Sequence, residues 1–183
     1  MSNIFQGQSI TDFYQSTRQR DFARKNLFRI LSIDGGLAGG GVTFDSSDLV
    51  YVTSTTLPKR SINVVNVAYM GMKFNVPGTA SYPGSEAWTV KFRMPQDLLI
   101  RRKLEFWTRA TFDDATTQGA YSMGDLGTIT LALMDKRGVP TITYRLVGAF
   151  CVNLGEYALD ATDAGTVVEQ DAVIAYQYWE NAK

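Results

Sequence analysis

The chain predicts a mainly β, α+β domain of seven or eight short antiparallel strands packed around one good helix, and three observations predict it. Within Glu86 to Trp107 a period-2 pattern changes to a period of 3.6: Trp88, Val90, Phe92 and Met94 alternate with Thr89, Lys91 and Arg93, and then Ile100, Leu104 and Trp107 recur at i, i+4 and i+7. Elsewhere, short apolar runs are punctuated by Gly, Pro and Asp at turn spacing. Finally, 183 residues with 45% hydrophobic and 20% charged content suffice for one packed core and most simply form one domain, 1–183.

In chain order, a polar N-terminal arm, about residues 1–20, is expected to be flexible and partly helical. Leu27 to Ile33 reads as a strand that ends at Asp34-Gly35-Gly36, and Gly35 to Gly41 is too glycine-rich to hold one conformation unaided, so it is expected to be a loop. Leu49 to Thr53 reads as a second strand closed by Leu57-Pro58. Ile62 to Tyr69 and Met72 to Val76 form a strand pair turning at Met70-Gly71, followed by a turn region bracketed by Pro77-Gly78 and Pro83-Gly84. Pro95, with its fixed φ and missing N–H, marks the switch from the Trp88 strand to a helix over about residues 96–112. Leu99, Phe106 and Ala110 widen the apolar stripe of that helix, and Arg101, Arg102 and Glu105 take its wet side. A polar loop, Asp113 to Asp125, precedes a hairpin in which Thr128 to Met134 pairs with Thr141 to Val147 across Asp135 to Gly138. A last long strand covers Val167 to Trp179.

Charge and composition exclude several function classes. Lys+Arg and Asp+Glu both number 18, so no net field recruits nucleic acid or membrane to the whole surface. The signs are segregated nonetheless: Arg18, Arg20, Arg24, Lys25 and Arg29 make the N-terminal part basic, while Glu156, Asp160, Asp163, Glu169, Asp171 and Glu180 meet no base before Lys183. With no His and the single Cys151, neither a disulfide framework, a Cys/His zinc site nor a His general base can be built. No apolar run reaches the roughly 20 residues of a membrane span, and Met1 to Gly7 lacks the pattern of a signal peptide. The chain is therefore expected in the cytoplasm until it is assembled or exported.

Candidate chemistry is sparse. The Gly35 to Gly41 run lacks the Lys-Ser/Thr of a phosphate loop, Asp113, Asp114 and Asp125 lack EF-hand spacing, and no G-x-S-x-G elbow occurs. Cys151 lies between Phe150 and Val152, a setting for a small buried residue rather than a reactive thiolate. Tyr176, Tyr178 and Trp179 are expected in the core or at a subunit contact. The residues nominate no catalytic, metal or cofactor site.

Five ordered blocks carry a resemblance. DFARKNLFRI (Asp21 to Ile30), TTLP (Thr55 to Pro58), the Trp88 strand with its helix ending in EFW, YRLVGAFCVNLGEYALD (Tyr144 to Asp160) and IAYQYWE (Ile174 to Glu180) occur in the order, and at about the spacing, of the tail tube proteins of contractile-tailed bacteriophages, which this chain resembles from Asp21 to Glu180. Two features depart from that pattern: Phe150-Cys151-Val152 stands where relatives often carry Pro before the Asn-x-Gly-Glu turn, and the Gly35 to Gly41 and Asp113 to Asp125 loops are long.

The resemblance implies an antiparallel β-sandwich or barrel-like subunit with one packed helix, completing a continuous β-barrel when six copies form a ring. Rings then stack into the inner tube of a contractile tail, a structural virion conduit for DNA with no enzymatic activity and no cofactor. Implied partners are further copies of the chain, the tail sheath protein, and baseplate, tube-initiator and terminator proteins; DNA passes without specific binding and no membrane is involved. Four strands from each of six subunits, about 4.8 Å apart and tilted ~40°, close at a backbone diameter of about 48 Å, wide enough for a duplex.

A wall rich in Lys and Arg would hold phosphates, so lumen strands should be neutral or acidic. The polar side of the hairpin, Thr128, Thr130, Thr141 and Thr143 with Ala132, supplies the lumen candidates, with Arg145 interrupting the pattern. The Lys91/Arg93 face should then look elsewhere, toward a neighbouring subunit or beneath a loop. Stacking must be heterologous to make a filament, and Arg18, Arg20 and Arg24 meeting Glu156, Asp160 or Glu180 of the next ring supply complementary surfaces. A tube initiator, a terminator or the inner tube of a bacterial contractile injection system shares these features. A β-sandwich ligand-binding module is the alternative from another class.

Overall fold

A computed structural model describes residues 9–82, 88–117, 119 and 122–182. In chain order the elements are α1 (Ile10–Gln19), β1 (Phe28–Asp34), a 3-10 turn (Leu37–Gly39), β2 (Thr43–Phe44), α2 (Ser46–Leu49), β3 (Val52–Thr55), β4 (Ser61–Tyr69), β5 (Met72–Ser81), β6 (Trp88–Arg93), α3 (Leu99–Thr111), a second 3-10 turn (Met123–Asp125), β7 (Gly127–Met134), β8 (Pro140–Leu154), β9 (Glu169–Ala175) and β10 (Tyr178–Ala182). Eight strands form one antiparallel sheet in the order β2-β1-β7-β8-β9-β6-β3, with β10 also on β8, and β4 and β5 form a separate pair.

The sheet changes direction at β8. Its first half pairs with β7 and β10, and its second half pairs with β9. Between the halves stands Gly148 at φ +70, where a Cβ would lie 2.5 Å from Gln177, so a side chain there would be strained by backbone and neighbour alike. The two halves face one another across the core. Ile30, Ile33, Ile129, Leu131 and Leu146 come from one half, Trp88, Val90, Phe92, Ala172 and Ile174 from the other, and Ile100, Leu104 and Trp107 of α3 close the cluster. This is the predicted mainly antiparallel fold with a packed helix, and in the single chain the sheet does not close on itself.

Several expectations need correction. The strand expected over Leu49 to Thr53 begins later, because Asp45 and Asp48 form a reciprocal capping box that starts the short helix α2, and β3 follows it. Pro95 does not open the helix: Leu98 N–H donates to Pro95 O at 3.0 Å, Leu98 takes φ 55, and α3 starts at Leu99, whose N–H is held by Asp97 Oδ1. Ile100, Leu104 and Trp107 are buried as the helical spacing requires, whereas Leu99 and Phe106 are exposed. Pro77-Gly78 does not make a turn but lies inside β5, opposite the irregularity between Ile62 and Val64 in β4. The single long C-terminal strand is interrupted at Tyr176-Gln177, with β9 along the second half of β8 and β10 along the first. Pro83-Gly84 lies outside the described residues, and part of the N-terminal arm is α1.

The glycine run also differs from a plain loop. It forms a 3-10 turn beneath Trp107, where a Cβ on Gly39 would sit 2.7 Å from the indole, so the help that this segment needs comes from α3.

Candidate assembly surfaces

The half of the sheet made by β1, β7, β8 and β10 carries a two-faced pattern. Ile30, Ile33, Ile129, Leu131 and Leu146 point to the core. Direct cross-strand partners place Asp34, Thr128 and Val147 in one row of the opposite face, Ser32, Thr130 and Arg145 in the next, and Ala132 and Thr143 beyond them. β10 extends these rows with Tyr178, Glu180 and Ala182. Thr128, Thr130 and Thr143 therefore share one face, and alternation along β8 puts Thr141 on the same side. Arg145 stands in the middle of it, with its Nη1 3.5 Å from Glu180 Oε1. Glu180 thus lies with the threonines rather than with Glu156 and Asp160.

Both outer edges of this four-stranded unit are open along most of their length. Among the described residues, only Ile33 and Asp34 of β1 pair with β2, leaving Phe28 to Leu31 without a strand partner on that side, and β10 pairs with β8 alone. The opening beside β1 is a groove whose other wall is β3, lined among others by Phe28, Ile30, Leu49, Val50 and Val52. Unpaired strand edges invite another strand.

A second surface stands apart from the core. In the β4–β5 hairpin, the facing pairs Val65/Val76, Val67/Phe74 and Tyr69/Met72 make one apolar side, while Asn66/Asn75 and Ala68/Lys73 make the other. All six apolar residues are between 44% and 65% exposed. Alternation of this kind normally marks a strand with one face in a core, yet here the apolar face stays exposed and outside the core cluster of the described residues. The sequence signals the strand pair but not its isolation.

The charged candidates fall into two groups. Arg18, Arg20 and Arg24 and, far along the chain, Glu156 and Asp160 are exposed, and none forms an ion pair among the described residues. Asp160 accepts the Thr162 hydroxyl at 2.7 Å and its amide at 2.8 Å, bonds that hold its carboxyl below the usual range. Lys91 and Arg93 are occupied within the chain, reaching Asp171 at 3.6 Å and Glu169 at 3.7 Å across the β6–β9 ladder. The expectation that they face a neighbour or lie beneath a loop is not needed to account for their charge.

Sequence reasoning missed Gln170, a fully buried polar side chain. Its Oε1 accepts from Arg101 of α3, and its Nε2 donates to the carbonyls of Gly155 and, at 3.0 Å, Asp171. Arg101 also lies over the Tyr157 ring at 5.1 Å, so the acidic segment after β8 is tied to the helix. Cys151 is buried, as its neighbours predicted, and desolvation pushes its thiol up to about 12, which leaves it unreactive. Among the described residues no cluster of His, Cys, Asp and Glu could hold a metal ion, and no helix is long and apolar enough to cross a membrane.

Comparisons with known proteins agree with this architecture. The chain is 22% identical over 173 residues to the tail tube protein gp19 of Enterobacteria phage T4, covering 93% of this chain and 99% of that one, and the same values hold for the gp19 of Enterobacteria phage T6. Among solved structures, a chain of the anti-feeding prophage baseplate superposes with a TM-score of 0.61 at 13% identity, covering 88% of this chain and 95% of that one. A chain of an extracellular contractile injection system sheath-tube complex in its extended state gives 0.57 at 14%, covering 92% and 96%. The model of the family described as T4-like virus tail tube protein gp19 matches residues 41–180, and the chain belongs to that family of structural components of the phage tail.

Proposed function

We propose that six copies of the chain close into a ring through the open edges of the β1-β7-β8-β10 sheet, and that the rings stack head to tail as the inner conduit of a contractile tail. The observation that carries this reading is the strand count. Each of the four strands runs antiparallel to the next, so β1 and β10 point in opposite directions. Rotation about a ring axis preserves direction, so β10 of one copy meets β1 of the next antiparallel, and the ladder continues around the ring without a parallel junction. An odd number of strands would break that alternation. Six such units give the 24 strands whose closure at about 48 Å leaves an open lumen.

The threonine face with Thr128, Thr130, Thr141 and Thr143 then lines the channel, since the other face is occupied by the core. The apolar side of the β4–β5 hairpin is covered by a neighbouring copy, and the basic Arg18, Arg20 and Arg24 meet Glu156 and Asp160 of the next ring. Sheath, baseplate, initiator and terminator proteins are the further partners of such a tube, and the role requires no catalysis. The names of the solved neighbours, a baseplate, a sheath-tube complex and terminators, support a place in an assembly of this class.

Electron microscopy of the purified full-length chain across a concentration series, with and without isolated baseplates as seeds, tests the reading. Six-fold rings or hollow tubes are the expected outcome. A chain that stays monomeric even on seeds would overturn it.

A further inference from the structure

We infer that Glu180 is the counter-charge that prevents Arg145 from holding the phosphates of DNA in the channel. The inference rests on the reading of the β1-β7-β8-β10 face as the lumen wall. Among the described residues the charges on that face are Arg29 and Asp34 on β1, Arg145 on β8 and Glu180 on β10, two of each sign. Arg145 is the most central of them. Its cross-strand neighbours are Thr130 on one side and Glu180 on the other, and the Arg145 and Glu180 side chains are 51% and 49% exposed. Both charged ends are therefore presented to whatever passes along the face.

An exposed arginine at this position, repeated in every subunit of every ring, would form a ladder of phosphate contacts along the path of a duplex. Each contact releases a counterion and adds salt-dependent affinity, which opposes sliding. Glu180 is set directly opposite Arg145 by the β8–β10 register, and its Oε1 lies 3.5 Å from the guanidinium. A half-exposed pair with this geometry adds little to folding. Its larger effect is on the field of the wall: the nearest charge that a phosphate meets beside Arg145 is negative, so the polyanion gains nothing by stopping there. Without Glu180 the same face carries two arginines against one aspartate.

The test uses virions carrying the substitutions, with genome release followed by the fluorescence of a DNA-binding dye after triggering. Glu180→Gln is expected to slow release on the order of threefold to tenfold at low salt, with the deficit shrinking as salt rises. The double variant Arg145→Gln/Glu180→Gln, which removes both charges, is expected to release at the wild-type rate, as is the swapped pair Arg145→Glu/Glu180→Arg. Normal tails with Glu180→Gln release at the wild-type rate and salt dependence would overturn the inference while leaving the tube intact. Glu180→Gln subunits that make no tubes, when wild-type subunits do, would assign the pair to assembly and overturn it equally. Wild-type chains that form no tube at all would instead remove the reading on which it rests.

Discussion

Gly39 and Trp107 show how much of this fold turns on single side chains. The indole fills the space that a Cβ on Gly39 would need, at 2.7 Å from Cδ1, and a Cβ on Gly35 would meet it at 3.2 Å. The glycine run is thus a bed for the largest buried side chain of α3, not a flexible connector. Overpacking at such a contact costs about 1–3 kcal/mol, so Gly39→Ala is expected to lower the urea midpoint of unfolding without changing the slope. An unchanged midpoint would mean that the turn can move away from the helix. Gln170 is the polar counterpart. Truncation to Ala leaves the Gly155 carbonyl and one side of the Arg101 guanidinium without a partner, which should destabilise the chain by about 1–3 kcal/mol in the same measurement.

Among the elements, the β4–β5 hairpin stands out as one whose apolar face is left exposed among the described residues. A two-stranded hairpin is marginal in water unless its apolar face is covered, and Val67 and Phe74 form the central pair of that face. Replacing both with Ser removes the apolar contact but no core contact. The expected result is a chain that keeps its circular dichroism and thermal midpoint while losing tube formation in sedimentation assays. A large drop in the stability of the monomer would instead place the hairpin against its own core. β8 is the contrasting case: with Gly148 between its two parts, one strand serves both halves of the sheet and so joins the half that carries the threonines to the half built on β9 and β6.

At the scale of the whole molecule, a neutral chain with segregated charges and two open sheet edges is suited to polymerise in one direction. The double reversal Arg20→Glu/Arg24→Glu should abolish or strongly retard stacking at low salt while leaving single rings, visible as discs by electron microscopy. In the proposed ring each rim pair would contribute only about 0–1 kcal/mol, but six-fold repetition would multiply the effect on register. Tubes of normal length from that variant would show that other contacts set the stacking. A Thr143→Cys chain tests whether the threonine face is the proposed lumen wall. In assembled tubes its thiol is expected to react with a small maleimide and to be protected from one carried on a large polymer that cannot enter the ends; equal reaction with both would put the face outside. The native thiol does not interfere, because Cys151 is buried and its ionisation is pushed up to about 12.

Local pattern determined a good deal by itself. Alternation identified the buried side of β6, the 3.6 period found Ile100, Leu104 and Trp107, and the turn residues at Asp135 to Gly138 located the β7–β8 hairpin with its threonines on one face. These features depend on neighbours a few residues away, and so they can be read from short windows. Long-range contact decided the remainder. Gln170 reads as an ordinary polar strand residue until Arg101 and Gly155 are brought to it, the glycine run reads as a loop until Trp107 lies on it, and Arg145 reads as an unopposed charge until β10 sets Glu180 beside it. The interruption at Tyr176-Gln177 that separates β9 from β10 along β8 likewise shows only in the tertiary structure.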